Sequence, residues 1–416
     1  MNILVVGSGA REHAIVHKLK QDGIKNIYCA PGNAGIDELA TCVQINHDDI
    51  NGLINFAKEQ HISLTIVGPE ISLSLGIVDA FNENDLTIFG PTKQAAMIES
   101  SKFFARQIMR NYHIPQPGFE MFDNSNEAID YVKTISYPAV IKADGLAAGK
   151  GVSIVNTREE AIAVVKAMME QRIFGDAGKK ILVEEFLNGV ESSYFVISNG
   201  KGFVKLGSAR DYKRLHDMDK GPNTGGMGSI SPSDKITPAM EKKVIDKIIT
   251  PLMDAFKQES IVYKGVIYTG LMIVDNEPYV LEFNARFGDP ETQAIIPRII
   301  SDLSSILVDS AKGKTFTETI KTKEEVSVCV VMASKNYPEH PETGKIINGL
   351  RDAVKKDTFI FHAGTKKEKG SIITTGGRVL AITGIGTDYE SAREKAYRSI
   401  GNIVFEGANY RKDIGL

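Results

Sequence analysis

Two short stretches of this 416-residue sequence combine residue types that handle phosphates. In YVLEFNARFGDPET, Glu282 and Asn284 stand two apart in an apolar run that reads as a strand, so their side chains leave the same face. Two oxygen ligands on one face suit magnesium, which keeps waters and substrate phosphates as its remaining ligands. Arg286 comes next on that face if the strand continues, and a guanidinium there would bind a carboxylate or a transferring phosphoryl group. Asp289 and Glu291 add acids just beyond. An edge strand with scattered charges is the plainer reading. It leaves unexplained why polar side chains interrupt the apolar face directly after YVL.

The second stretch, KADGLAAGKGV, runs from Lys142 to Val152 and sets Gly145, Gly149 and Gly151 around Lys142 and Lys150. A P-loop, G-x-x-x-x-G-K-[ST], does not fit: Gly145 to Gly149 is one residue too short, and Gly151 stands where Ser or Thr would bind magnesium. A linker does not fit either, because AVIKA and GVSIV flank the stretch as strands. What remains is a hairpin-like loop with Lys142 at its base and Lys150 at its tip, a clamp whose small residues let backbone approach phosphate oxygens. A disordered turn is the bland alternative.

Three further motifs are weaker. GSGAREHA offers Gly7 and Gly9 before a helix, but Glu12 takes the third glycine's place in the dinucleotide fingerprint. The second strand then ends in Ala30-Pro31-Gly32 with no acid for a ribose, so NAD is not expected. Gly7, Gly9 and the helix N-terminus would still suit one phosphate; a plain tight turn is an equal alternative. In VEEFLNGVE, Glu184 or Glu185 ends a strand and Glu191 follows one short turn later. An acid there would take sugar hydroxyls and the Glu185–Leu187 backbone a base edge, unless these glutamates only form a solvated face. ARDYKRLHDMDKGPNTGGMG reads as a long polar connection in which Gly225, Gly226 and Gly228 permit close approach to a ligand. His216 within it is given no role.

These residues need a scaffold. Strands at Ile3–Val6, Ile27–Ala30, Leu64–Val67 and Leu86–Phe89 each stop at a glycine turn (GSG, PGNAG, GPE, GPT), with a helix at Arg11–Lys20. That alternation predicts a Rossmann-like parallel α/β sheet with ligands at the strands' carboxyl edge. A helix from about Lys93 to Arg110 leads to the proline boundary HIPQPGF. The expected domains are 1–100, a linker helix 101–118, a small lid 119–186, an α+β core 187–325, and a C-terminal α/β domain 326–416 that opens on the strand VSVCVVMA. A net charge of −3, with 42% hydrophobic and 24% charged residues, excludes a nucleic-acid binder that works through a basic surface. The N-terminus has the form of neither a signal peptide nor a membrane span, and no segment supplies the roughly 20 apolar residues a spanning helix needs. Cys29, Cys42 and Cys329 are isolated and read as buried, reduced thiols. A cytoplasmic enzyme is expected.

Taken together and in order, AREHA, APGNAG, TIVGPE, IFGPT, IKADGLAAGKGV, VEEFL, DKGPNTGGMG and EFNARFGDPET resemble the ATP-grasp enzymes and, within them, the glycinamide ribonucleotide synthetase family. The resemblance spans essentially the whole chain. It implies an ATP-grasp core with a small lid and the joining of glycine to 5-phosphoribosylamine through glycyl phosphate, with ATP and magnesium or manganese. It further implies that Lys102 and Lys142 contact ATP phosphates, that Gly149, Lys150 and Gly151 cover them, and that Glu185 and Leu187 offer backbone to adenine. Glu191 would take the ribose, and Glu282 and Asn284 the metal. Many ATP-grasp proteins carry another acid on the preceding strand; here it reads TGLMIVD, so fewer protein ligands are expected. Arg286 would orient the glycyl phosphate, and Asp289 or Asp211 would meet the glycine ammonium. Gly7, Gly9, Pro31, Gly32, Asn33, Gly68, Pro69 and Glu70, with Arg286, Gly288 and Asp289, would form the substrate pocket. A monomer with no nucleic-acid or membrane partner is expected.

Overall fold

In the computed structural model, which describes residues 1–145 and 151–416, the opening alternation of apolar runs folds into a five-stranded parallel sheet. The strands are Asn2–Gly7, Asn26–Pro31, Thr41–Cys42, Leu64–Val67 and Ile88–Phe89, in the spatial order third, second, first, fourth, fifth. Ile3 to Val6 are fully buried, as expected of a parallel strand covered on both faces. The chain changes direction across the sheet beside Asn2–Gly7, so the crevice for a ligand opens at the ends of that strand and of Leu64–Val67. Two features differ from the sequence expectation. Thr41–Cys42 is a strand too short to show a period, and the last strand keeps only Ile88 and Phe89.

The single helix expected from Lys93 to Arg110 is two helices, Lys93–Ser100 and Lys102–Asn111. Ser101 between them is extended (φ −132°, ψ 110°), and its hydroxyl accepts the Phe104 amide at 3.1 Å as an N-cap. This break sets Glu99 at one helix end and Lys102 at the next helix start.

A small antiparallel sheet follows, in the order Phe119–Phe122, Ile181–Glu185, Ala139–Ala143, Val152–Val155. Its core is made by Ile141 and Val183 with Ala128, Val132, Ala161 and Val165 of two covering helices. The remaining strands form one eight-stranded sheet, from Glu277–Asn284 through Lys264–Val274, Val190–Asn199, Phe203–Asp211 and Gly228–Ser231 to Val326–Ala333, Arg378–Gly386 and Thr358–His362. Gly228–Ser231, buried throughout, joins the strands on the Glu277–Asn284 side of the sheet to the C-terminal ones. Glu277–Asn284 and its neighbour turn at Asp275–Asn276, both with positive φ (49° and 60°), the geometry of a two-residue hairpin. The long polar connection is partly ordered: Arg214–His216 pairs with Lys220–Asn223 as a ribbon. Of the cysteines, Cys29 and Cys329 are buried, Cys42 is only half-buried, and all are free.

The first helix, Ala10–Gln21, packs on the C-terminal strand Thr358–His362 through two buried imidazoles. The His362 amide donates to His13 Nδ1 at 2.8 Å, and His362 Nδ1 lies 3.1 Å from Thr365 Oγ1. Burial pushes the His362 pKa down to about 4, and burial with the His362 and His17 rings pushes His13 well below 6.5. Both rings are therefore neutral in the fold, whereas the unfolded chain takes up protons near 6.5. Stability from this contact is complete above that pH and is lost as the pH falls toward 4. The urea midpoint should drop across this window, and a His13→Gln/His362→Gln variant should show a flatter profile. An unchanged slope would remove the imidazoles from the explanation.

Candidate active site

Lys142, on the small sheet, is locked to the large sheet by a buried charge triad. Glu184 accepts Lys142 Nζ on one oxygen and Arg106 Nε on the other, both at 2.8 Å. The cross-strand register of Glu277–Asn284 slips by one residue, leaving Leu281 without a partner. That bulge turns the Leu281 carbonyl outward, where it accepts Lys142 Nζ at 3.2 Å and Arg106 Nη2 at 3.0 Å, while Arg106 Nη1 reaches Val280 O at 3.0 Å. Burial lowers the Lys142 pKa, and Glu184 opposes it. For Glu184, burial is outweighed by Lys142 and Arg106, and its carboxyl stays below the usual range.

The described residues that flank the glycine stretch are fixed by hydrogen bonds. Lys102 Nζ donates to Gly145 O at 3.1 Å, and Asp144 Oδ1 accepts both Ser101 Oγ and the Phe103 amide at 3.2 Å. On the other side, the Ala143 amide donates to the carbonyl of buried Gly151 at 2.8 Å. Gly149 and Lys150 lie outside the described residues. Glu185 is exposed, with its amide given to Gly118 O at 2.9 Å, and Leu187 is half-buried. Among the described residues, the Leu187 amide finds no acceptor.

On Glu277–Asn284, called the metal strand here for the ligands expected on it, Glu282 lies opposite Gly270 and Asn284 opposite Tyr268, so a glycine stands where another acid would have faced Glu282. The strand ends at Asn284, so the continuation that would have put Arg286 on the same face does not occur. The chain bends because the Ala285 amide donates to Glu99 Oε2 at 2.8 Å. Arg286 still returns to the site: Nη2 is 3.3 Å from Asn284 Oδ1 and 3.2 Å from Glu99 Oε1, and Nε pairs with Glu70 Oε2 at 3.3 Å as an ion pair without hydrogen-bond alignment. Burial raises the Glu99 pKa in spite of Arg286. At Glu70, burial is overcome by Arg286 and Arg11, and the pKa falls.

Lys213 is the residue that sequence reasoning overlooked. Its ammonium pairs with Glu191 and lies 3.9 Å from Asp211 Oδ1. Burial would lower its pKa, but Asp211 and Glu191 raise it well above the ordinary value. Asp211 is pushed up to about 7 by burial, with Glu291, Glu191 and Glu282 adding to the effect against Lys213. Burial raises Glu291 as well. Lys213 thus faces two carboxyls directly, and the charges of Glu282 and Glu291 add to the rise of Asp211, an acid excess that fits a bound divalent cation. Among the described residues no three His, Cys, Asp or Glu side chains form a cage by themselves, so Glu282 and Asn284 would share the metal with ATP phosphates.

At the switch point of the parallel sheet, the expected phosphate cradle is filled by the chain's own carboxylate. Glu12 Oε2 accepts the Gly9 amide at 2.6 Å, and Oε1 pairs with Arg11 Nε at 2.6 Å. A Cβ on Gly68 would sit 1.9 Å from Glu12 Oε1, one on Gly7 2.6 Å from its Cδ, and one on Gly9 2.8 Å from Oε2. These glycines make room for Glu12, and the Gly9 amide is no longer available to a phosphate. Gly68→Ala should therefore displace Glu12 and lower kcat/KM by about a hundredfold for the substrate expected at this crevice, with ATP affinity unchanged. Steady-state kinetics with each substrate varied would show it, and equal losses for both would contradict it.

The rest of that pocket is a frame. Pro31 ends the second strand, and the Gly32 amide (φ 75°) donates to Gly7 O at 3.1 Å. The Asn33 side chain donates to Ser8 O at 2.8 Å and His362 O at 2.7 Å and accepts the Gly35 and Ile36 amides at 3.0 Å, so it is fully used by backbone. Pro69 precedes the helix Glu70–Ser74, which aims Glu70 at Arg286. Arg11 Nη1 reaches Phe287 O at 3.2 Å. Gly288 is small because Glu291 Oε2 would lie 2.5 Å from its Cβ. Asp289 accepts Gln293 Nε2 at 2.6 Å and pairs with Arg378 Nη2 at 3.1 Å.

Two antiparallel sheets that bring Lys142 of one against the metal strand of the other make the ATP-grasp arrangement, and the chain is an ATP-grasp ligase that uses ATP with a divalent metal. Residues 1–99 match the N domain of phosphoribosylglycinamide synthetase, residues 100–292 its ATP-grasp (A) domain and residues 327–416 its C domain. The chain belongs to the phosphoribosylglycinamide synthetase family. It is 50% identical over 415 residues to the phosphoribosylamine–glycine ligase of Caldanaerobacter subterraneus subsp. tengcongensis, covering 100% of this chain and 99% of that one. With the ligase of Halalkalibacterium halodurans it shares 44% identity over 416 residues, covering 100% and 96%. The crystal structure of the phosphoribosylamine–glycine ligase from Thermotoga maritima superposes with a TM-score of 0.85 at 35% identity, covering 99% of this chain and 100% of that one. A biotin carboxylase from Campylobacter jejuni (TM-score 0.77, 14% identity; 100% and 94% covered) shares the fold. Among the described residues, no helix is long and apolar enough to cross a membrane.

Proposed function

We propose that this chain joins glycine to 5-phosphoribosylamine, giving glycinamide ribonucleotide, ADP and phosphate, the second step of de novo purine synthesis. One observation carries the reading: Arg286 touches Glu70 of the N-terminal crevice and Asn284 of the metal strand together, so the sugar-amine pocket and the phosphoryl site meet at one guanidinium.

A glycine carboxylate oxygen attacks the γ-phosphorus of ATP, and ADP departs. The amine of phosphoribosylamine then attacks the carbonyl carbon of glycyl phosphate; phosphate leaves with the glycine oxygen, and the amine gives up a proton. Lys142 and Lys102 hold ATP phosphates from fixed positions, so little reorganisation accompanies charge transfer. Gly149, Lys150 and Gly151 would cover the ATP phosphates. Glu185 and Leu187 present backbone to adenine, and Glu191 takes the ribose. Glu282 and Asn284 hold magnesium or manganese, which when bound neutralises phosphate oxygens. Arg286 orients the acyl phosphate. Asp211 meets the glycine ammonium in preference to Asp289, whose carboxylate Arg378 already neutralises. The chain acts as a monomer in the cytoplasm.

Glycine carrying heavy oxygen in its carboxylate tests the path. One labelled oxygen should appear in the released phosphate for each product formed. Phosphate free of label would rule out the acyl phosphate.

A further inference from the structure

We propose that Arg378, at the start of the strand Arg378–Gly386 in the C-terminal segment, is a positioning residue of the ligase site, setting Lys213 and Asp289 through the glycine loop between them. The inference rests on the function proposed above and extends it to a part of the chain given no role there.

The guanidinium of Arg378 makes all its hydrogen bonds outside its own segment. Nη1 donates to the carbonyls of Gly225 and of Asp289 (2.9 Å for the latter), and Nη2 pairs with Asp289 Oδ2 at 3.1 Å. Tyr337 helps from the same side: its hydroxyl accepts the Gly225 amide at 2.8 Å, and its ring lies so close to Gly377 that a Cβ there would be 2.4 Å away. The loop and the acidic turn also touch directly, because a Cβ on Gly226 would meet Pro290 Cδ at 2.4 Å. Side chains at Gly226 or Gly377 would push these segments apart.

From Gly225 the connection runs straight to Lys213. The Thr224 amide and hydroxyl both donate to the Lys213 carbonyl at 2.8 Å, and the Gly226 amide donates to the Thr224 hydroxyl at 3.0 Å. Directly before Lys213, the Met227 amide bonds to Tyr212 O at 2.8 Å and the Tyr212 amide to Gly228 O at 2.9 Å. The backbone that aims Lys213 at Glu191 and Asp211 is therefore clipped to a loop whose far side is held by Arg378. The same guanidinium supplies the counter-charge that keeps Asp289 turned toward it. An apolar residue of equal length would fill the space but could hold neither carbonyl nor carboxylate.

Arg378→Met and Arg378→Lys, with Thr224→Val and the Arg378→Met/Thr224→Val pair, test the proposal in the full chain. Arg378→Met should lower kcat about tenfold or more while the ATP Kd and the urea midpoint stay at wild-type values. Arg378→Lys should recover part of the loss by reaching Asp289, and the pair should lose no more than the worse single variant, because both changes cut one path. Amide exchange at Thr224 and Gly226 should be about tenfold faster in Arg378→Met. Wild-type kcat in Arg378→Met, additive losses in the pair, or unchanged exchange would overturn the proposal. The exchange measurement needs no turnover. If wild-type protein fails to use glycine and phosphoribosylamine, the functional reading falls, and exchange alone decides whether Arg378 positions the loop.

Discussion

Replacing Glu184 with glutamine is expected to cost about 3–5 kcal/mol of stability, because it leaves two buried cations side by side without their shared counter-charge. Arg106 and Lys142 each donate to a different oxygen of Glu184 at 2.8 Å, and both also lean on carbonyls of the metal strand. Neither ammonium nor guanidinium can turn to solvent from there, since Lys142, Arg106 and Glu184 are all buried. ATP binding should fall with stability, as Lys142 loses the partner that offsets its burial and tends toward the neutral amine. A Glu184→Gln/Lys142→Met variant separates the two effects. It should recover much of the stability by removing one unpaired charge, yet remain inactive. Urea unfolding followed with ATP titration would check this. A Glu184→Gln protein as stable as wild type would show that the triad contributes nothing to the packing of the two sheets.

Arg286→Ala should reduce turnover by about a hundredfold or more while ATP affinity changes little. The guanidinium sits beyond the metal strand, between Glu70, Glu99 and Asn284, and none of the residues proposed to hold adenine, ribose or the lysine-bound phosphates touches it. Its removal also leaves Glu99, already raised by burial, without its cation, so the Glu99 carboxyl should be pushed up further. Arg286→Lys should rescue poorly, because one ammonium cannot span two carboxylates and an amide oxygen together. Equal losses in turnover and ATP affinity would remove Arg286 from the acyl-transfer role and return it to the frame.

What could be seen in the sequence was local. Leu64–Val67 shows as a strand because an apolar run ends at a glycine turn, and the Glu282/Asn284 pair shows because polar residues break a strand's period. What could not be seen depends on partners far along the chain. Glu184 and Glu185 look alike as neighbours in one strand. Only the fold shows that Glu184 faces Arg106, 78 residues away, while Glu185 faces outward. Glu12 reads from sequence as an absent glycine, whereas it fills the space that Gly7, Gly9 and Gly68 leave open. Ser101 breaks a helix its sequence would continue, because its hydroxyl caps the next one and also reaches Asp144 at 3.2 Å. Lys213 lies in a charge-rich run where no spacing marks it. A signal was present in Glu191 and Asp211, the acids it faces, but their convergence is tertiary.

The most direct measurement is sustained ADP release by the purified protein with a magnesium salt, adding glycine and freshly generated phosphoribosylamine singly and together. ADP release should appear only when both are present, and glycinamide ribonucleotide should accumulate in step with it. Sustained release without the sugar amine, or equal release when another amino acid replaces glycine, would contradict the assignment and leave only an ATP-grasp ligase of other specificity.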